Sequence, residues 1–329
     1  MNRQNLANFF LTHPDLKYIF FGGKGGVGKT VLAGATALFL SETGKKVLLA
    51  STNPVHSLSG LFNEDLLGKE KLIPGTHLFA LEIETKDVIL RKKEEIKEKI
   101  NWFLRFADIS GQKTEDFIES ATMNPAFEES AMFEKMVDLI FEGRYDIYVF
   151  DTAPTANARR LLGMAQVYTL WVEKMLASRK EAEELRRKLS FTKKEEKDPL
   201  LTYLLSFRAR IERVHRLLTD SSLTSFFFVT LPEALPIAVV KRFIGWFSEF
   251  GIPVGGVIIN RVIDKKVVGP EAPDFVLNRM AMQERYLKEI ESSLPNVLAI
   301  LPEMPAEIRG LENLKAVVNH LFGGVDPGG

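Results

Sequence analysis

Residues 23 to 30 read Gly23-Lys24-Gly25-Gly26-Val27-Gly28-Lys29-Thr30. This octad fits G-x-x-x-x-G-K-[ST], a loop built to hold phosphate. The glycines leave room for backbone N–H groups to wrap around phosphate oxygens, and a following helix points its positive end at them. In such a loop Lys29 reaches the β- and γ-phosphates, and the Thr30 hydroxyl meets magnesium. The binding stretch is therefore expected to run from Gly23 through Gly25, Gly26, Val27, Gly28 and Thr30 to Val31, with ATP and Mg2+ as its ligands.

Two further positions bear on phosphate chemistry. The run Tyr145-Asp-Ile-Tyr-Val-Phe-Asp151 delivers a carboxylate to the end of an apolar strand. A carboxylate there holds a magnesium-bound water, or else caps the next helix. The stretch Ser51-Thr-Asn-Pro-Val-His-Ser-Leu58 follows another apolar strand. Asn53 stands where a phosphate-cleaving enzyme is expected to carry a carboxylate. His56 and Ser57 read as a helix start, because no carboxylate in the segment orients the histidine.

The elements that must position these groups follow from periodicity. Tyr18–Gly22, Lys46–Ser51, Leu78–Glu84, Tyr145–Asp151, Ser225–Thr230, Val254–Asn260 and Val297–Leu301 are short apolar runs and read as buried strands. Helical patterns fall at 30–42, 86–107, 125–142, 161–220, 237–250, 274–293 and 307–321. Phe127, Met132, Met136 and Leu139 line the apolar side of the third. Strands alternating with helices predict an α/β fold: a doubly wound, mostly parallel sheet forming one P-loop NTPase domain. The helical blocks at about 86–142 and 160–220 exceed simple crossovers and are expected to form an inserted helical subdomain. Residues 322–329 read as a flexible tail.

Bulk composition narrows the classes. Lysine plus arginine equals aspartate plus glutamate at 43 each, so no global field steers the chain to nucleic acid or anionic lipid. There is no cysteine, which excludes disulfides, thiolate zinc, iron–sulfur clusters and a cysteine nucleophile. The N-terminus shows no signal-peptide pattern, and no run reaches the roughly 18 apolar residues of a membrane span. A cytoplasmic protein without direct membrane insertion is expected.

The segments FGGKGGVGKT, STNPVHSLS, FDTAPT, RRLL, VTLPEALP, IINR and PAEIRGLENL occur in this order. Together they resemble the ATPase family of arsenite-pump subunits and tail-anchored-protein targeting factors, over nearly the whole chain. The resemblance implies a nucleotide-gated dimer that carries a helical client subdomain. With one P-loop, this chain would have to pair with a second copy of itself. It implies that Lys24, the mark of the deviant Walker A loop, reaches the partner's nucleotide; the plainer alternative is a lysine lying along its own phosphate. It further implies that Asn260 contacts adenine, that Pro305 lies in an adenine-side loop and that Glu233 sits near the partner subunit. Simple turn or helix-start roles are the alternatives.

The chain also departs from that family. The resembling segment usually has aspartate at the position of Asn53, where it positions and polarises the attacking water. An amide hydrogen-bonds water but cannot take its proton, so weakened hydrolysis is expected. Three readings stand: a natural site with a slow or relocated mechanism, a carboxylate-to-amide change that holds ATP uncleaved, or an Asn-Pro turn. Val55 replaces a more usual alanine, Ala156-Asn157 stands where Gly-His is usual, and residues 237–242 lack an expected acid. Without cysteine, arsenite activation through thiolates and an interfacial zinc are both excluded. The leading expectation is an ATPase that closes on a hydrophobic client helix, with Lys24, Lys29 and Asn53 as its catalytic set. A pump-energising subunit on a membrane-protein partner and a binding switch with negligible hydrolysis are the rivals.

Overall fold

The protein is described by a computed structural model over residues 6–52, 57–84, 86–91, 94–95, 98, 125–152, 173, 177, 199–269 and 271–323. In chain order the elements are α1 (Leu6–Thr12), β1 (Tyr18–Gly22), α2 (Lys29–Glu42), β2 (Val47–Ser51), α3 (Ser57–Phe62), β3 (Lys71–Leu72), β4 (Leu78–Glu82), α4 (Pro125–Glu142), β5 (Ile147–Asp151), α5 (Pro199–Thr219), β6 (Thr224–Thr230), α6 (Ala234–Glu249), β7 (Val254–Val262), α7 (Asp274–Ser293), β8 (Val297–Pro302) and α8 (Gly310–Phe322). Residues 86–91 are also helical.

The strands form one sheet in the order β3-β4-β2-β5-β1-β6-β7-β8. Every pairing is parallel except β3 with β4. The apolar runs are buried on both faces, and the side-chain alternation of a strand sorts them. Ile19, Phe21, Val47, Leu49, Ile147 and Val149 enter one core cluster with α1, α2, α3 and α8. Their neighbours Tyr18, Phe20, Leu48, Ala50, Tyr148 and Phe150 enter the other, with α4, α6 and α7. This is the doubly wound sheet expected from the sequence.

Helix α2 is deeply buried. Eleven of its fourteen residues are buried, which is why it is made of alanine and leucine rather than showing a polar stripe. α8 closes over it, with Phe39 stacked on Phe322 at 4.0 Å between ring centroids. Phe322, assigned to the tail by the sequence reading, is the last residue of α8 and is buried.

Other boundaries shift for local reasons. α6 begins three residues before the expected Ile237, because Pro236 falls in its first turn, where the missing N–H costs nothing. α8 begins at Gly310 instead of Glu307, since Arg309 is still extended with φ −135°. α1 and the two-residue β3 are absent from the sequence reading. Met132, Met136 and Leu139 of α4 are buried core residues on the sheet face. The Phe127 side chain lies outside the described residues, as do most of 92–124 and 153–198. Among the described residues no helix is long and apolar enough to cross a membrane.

Candidate functional site

The chain leaves β1 through Gly23, and the loop enters α2 at Lys29. Two glycines here have physical work to do. Gly23 has φ 141° and lies so close to β6 that a β-carbon would run into the Val229 carbonyl oxygen. Gly28 has φ 95°, and a β-carbon there would strike the Asn260 amide nitrogen. Gly23→Ala is therefore expected to cost about 1–3 kcal/mol in backbone strain alone, and the main-chain collision adds to it. Chemical denaturation of this variant checks the expectation; an unchanged midpoint would show that the loop can move off β6.

Gly28 caps α2 without a side-chain hydrogen bond, so the first N–H groups of the helix are not satisfied by a capping side chain. Gly25 and Gly26 are exposed, while Val27 is buried beneath the loop. Val31 lies half-buried in the first turn of α2. Lys29 is only 7% exposed, and its Nζ donates to the Lys24 carbonyl oxygen at 3.2 Å, spanning its own loop. Burial pushes the Lys29 ammonium down from lysine's ordinary value, and the Asp151 carboxylate pulls it back up. The Lys24 side chain is half-buried and makes no hydrogen bond or ion pair among the described residues.

Asp151 ends β5, directly beside β1 in the sheet. It is fully buried. Its Oδ2 accepts from the Thr30 hydroxyl at 2.6 Å and from the Ser51 hydroxyl at 3.1 Å. Thr30 Oγ1 also meets Ser57 Oγ at 3.1 Å. The other carboxyl oxygen, Oδ1, is buried with no hydrogen-bond partner among the described residues. Burial is the main reason this carboxyl titrates above the ordinary aspartate value. The Thr30 hydroxyl, the Lys29 ammonium and the Ser51 hydroxyl oppose the rise, and the Glu82 charge adds to it. A hydroxyl beside an orphaned carboxylate oxygen suits a hard cation that takes oxygen ligands, as magnesium does. Among the described residues there is no cluster of three or more acidic or histidine side chains, so any ion held here completes its shell with water or phosphate.

The opposite wall comes from β7. Asn260 is buried; its Nδ2 donates to the Val27 carbonyl oxygen at 2.9 Å, and its Oδ1 accepts from the Arg261 N–H at 2.9 Å. The residue expected beside adenine thus also braces the loop from below. Arg261 takes a left-handed φ of 58°. Gln283 of α7 holds that turn, accepting from Ile263 N–H at 2.9 Å and donating to Arg261 O at 3.1 Å. Pro305 is exposed in the connection between β8 and α8. Glu233, at the start of α6, pairs with Arg279 of α7 at 2.9 Å.

Asn53, Val55, His56, Ala156 and Asn157 lie outside the described residues. The flanks of the Asn53 segment are described: Thr52 N–H donates to the Asp151 carbonyl oxygen at 3.0 Å, and α3 opens at Ser57. Ser51 and Glu82 join the site without having been singled out in the sequence, and Ser57, read there as a helix start, does open α3 and also meets Thr30. For Glu82 the signal was present, because LFALE ends an apolar strand in a carboxylate as IYVFD does.

Strand ends β1, β2, β5 and β7 thus converge on a phosphate-type loop beside a buried carboxylate. A family model described as anion-transporting ATPase matches residues 16–323. The chain belongs to the anion-transporting ATPase family. This ATPase is 34% identical over 310 residues to a putative arsenical pump-driving ATPase 2 of Aquifex aeolicus, covering 91% of this chain and 97% of that one. It is 30% identical over 321 residues to ATPase GET3A of Arabidopsis thaliana, covering 95% of this chain and 85% of that one. It is 29% identical over 316 residues to ATPase ASNA1 homolog 2 of Paramecium tetraurelia, covering 93% of each. The resemblance read from the sequence motifs is thereby confirmed, and nucleotide binding follows from it.

Proposed function

We propose that this ATPase is a magnesium-dependent, cytoplasmic homodimer in which ATP drives two copies together and thereby orders a helical surface for a hydrophobic client helix. The observation that carries the reading is the cluster of Lys29, Thr30 and Asp151, with the buried Asp151 Oδ1 left for a ligand. Thr30 and Asp151 are assigned to magnesium. Bound there, the ion would supply charge compensation for the phosphates.

The chain's own groups do the rest. The N–H groups of Gly23 to Val31 bind the phosphates, and Lys29 leaves the Lys24 carbonyl to meet the terminal one. The Lys24 side chain, without a hydrogen bond or ion pair among the described residues, reaches across to the second copy. Asn53 orients the attacking water without taking its proton, so turnover is slow. Asn260 and Pro305 face the adenine side. The helical subdomain, expected at 86–142 and 160–220, carries the client surface. Leu205 of α5 is 49% exposed, in keeping with an apolar face on that helix. The absence of cysteine weighs against arsenite as the regulating ligand. A membrane-protein partner of the pump-driving kind is the second reading, favoured by the name of the Aquifex relative.

Mass photometry in Mg-ADP and in Mg-ATP tests the central claim. The expected result is a shift from one chain's mass to two in ATP, abolished in Lys24→Ala. Equal masses in the two nucleotides would remove the gated dimer.

A further inference from the structure

The magnesium-side cluster has an anchor that the family motifs do not point to. Glu82, the last residue of β4, is 1% exposed. It lies beside Ser51 in the parallel ladder of β2 and β4. Its Oε1 accepts from the Leu58 N–H at 2.6 Å, and its Oε2 accepts from the Ser59 hydroxyl. Ser59 Oγ in turn accepts from Leu66 N–H at 3.2 Å. The backbone of Glu82 joins the same knot, with its N–H on Leu66 O at 3.0 Å and its carbonyl taking Gly68 N–H at 2.8 Å.

One carboxylate therefore grips the first turn of α3 at two consecutive residues. The residue just before them, Ser57, places its hydroxyl on Thr30 Oγ1. A path of short contacts runs from Glu82 through Leu58 and Ser59 to Ser57, then to Thr30 and Asp151. Ser51 closes the ring, bonded to Asp151 on one side and laddered to Glu82 on the other. Charge-assisted hydrogen bonds to a buried carboxylate are about twice as strong as neutral ones, so this is a stiff attachment.

We propose that Glu82 is a positioning residue for ATP hydrolysis: it fixes the first turn of α3 so that Ser57 stays in register with the Thr30 hydroxyl. It is assigned a role through α3 rather than as a ligand of nucleotide or ion. Ground-state nucleotide binding is assigned to the loop and α2, whereas the Glu82 hydrogen bonds described above go to α3 and to Leu66 and Gly68. Its loss therefore falls on turnover. The inference rests on the assignment of Thr30 and Asp151 to magnesium.

The test compares Glu82→Ala, Glu82→Gln and Ser59→Ala by steady-state phosphate release, magnesium titration, fluorescent-ADP binding in chelator and thermal melting. Loss of a residue that orients a metal-side ligand typically costs about 10–100-fold. We expect Glu82→Ala to lose kcat in that range and to need more magnesium for half-maximal rate, while chelator ADP affinity stays at the parent value. Glu82→Gln keeps an acceptor for Leu58 N–H but turns a donor toward Ser59, which already accepts from Leu66; it should recover part of kcat. Ser59→Ala, which loses one of the two grips, should fall between parent and Glu82→Ala. Unchanged kcat in Glu82→Ala and Ser59→Ala overturns the proposal. So does a fall in kcat matched by an equal fall in ADP affinity and melting temperature in all three, which marks a folding role alone. If Glu82→Ala does not fold, Ser59→Ala and Glu82→Gln decide by the same criteria. Asp151→Asn run alongside tests the magnesium assignment separately: retained magnesium dependence there defeats that assignment, whatever Glu82 does.

Discussion

Asn53→Asp raises kcat by about 10²–10⁴-fold, the usual worth of general-base assistance, with little change in KM. The substitution exchanges an amide nitrogen for a carboxylate oxygen at nearly constant shape. It gives the segment after β2 a group that accepts the proton of the attacking water. The segment starts at Thr52, tied to the Asp151 carbonyl, and ends at Ser57, tied to Thr30. Phosphoryl transfer depends mostly on positioning and charge compensation, so the parent retains measurable turnover. Single-turnover phosphate release from both proteins, with the dimer fraction measured in parallel, reads the effect on chemistry alone. Equal rates would mean that the water is activated elsewhere and that residue 53 only shapes a turn.

Asp151→Asn separates stability from activity. The parent carboxyl is fully buried, and burial raises its pKa above the ordinary 3.8. The native state therefore holds more protons than the unfolded chain above that value. Its contribution to stability is full below 3.8 and is lost as pH rises through the folded value. In chelator, the melting temperature of the parent should fall with rising pH relative to that of Asp151→Asn across this window. The amide does not ionise, so this part of the pH slope disappears in Asp151→Asn, and at neutral pH the variant melts at or above the parent. Hydrolysis behaves oppositely. Removing the carboxylate forfeits several kcal/mol of charge compensation, or about 10²–10⁴-fold in kcat. Stabilisation by Mg-ATP over ATP in chelator should vanish with it. A variant that melts lower than the parent in chelator at neutral pH would show that Asp151 is a structural anchor first.

The sequence made the phosphate loop legible because its chemistry is local: eight consecutive residues carry the backbone freedom, the cation and the hydroxyl. Asp151 was legible because strand IYVFD stops on a charge. Glu82 ends LFALE the same way, yet its strand was extended two residues too far, to Glu84, so it was not marked as a strand-end group. The directions of the Asn260 and Gln283 amides could not be read, since they bond to backbone groups far away in sequence, at Val27, Arg261 and Ile263. α1 went unseen because seven residues are too few for a periodic signal. Its burial comes from distant rings, with Phe9 and Phe10 against Phe227 and Phe10 near Phe322. The two-residue β3 is an edge pairing that no local pattern announces.

The loop at residues 23–30 rests on two groups encoded much later. Gly23 lies against the Val229 carbonyl, and Val27 is held by the Asn260 side chain. On the ribosome, the complete nucleotide motif emerges long before either support. At roughly 5–20 residues per second, about 10–50 s pass before Asn260 is made. A nascent chain in that interval has the motif without the two groups that brace it. A loop that needs both supports takes its final shape only once the sheet is finished through β7.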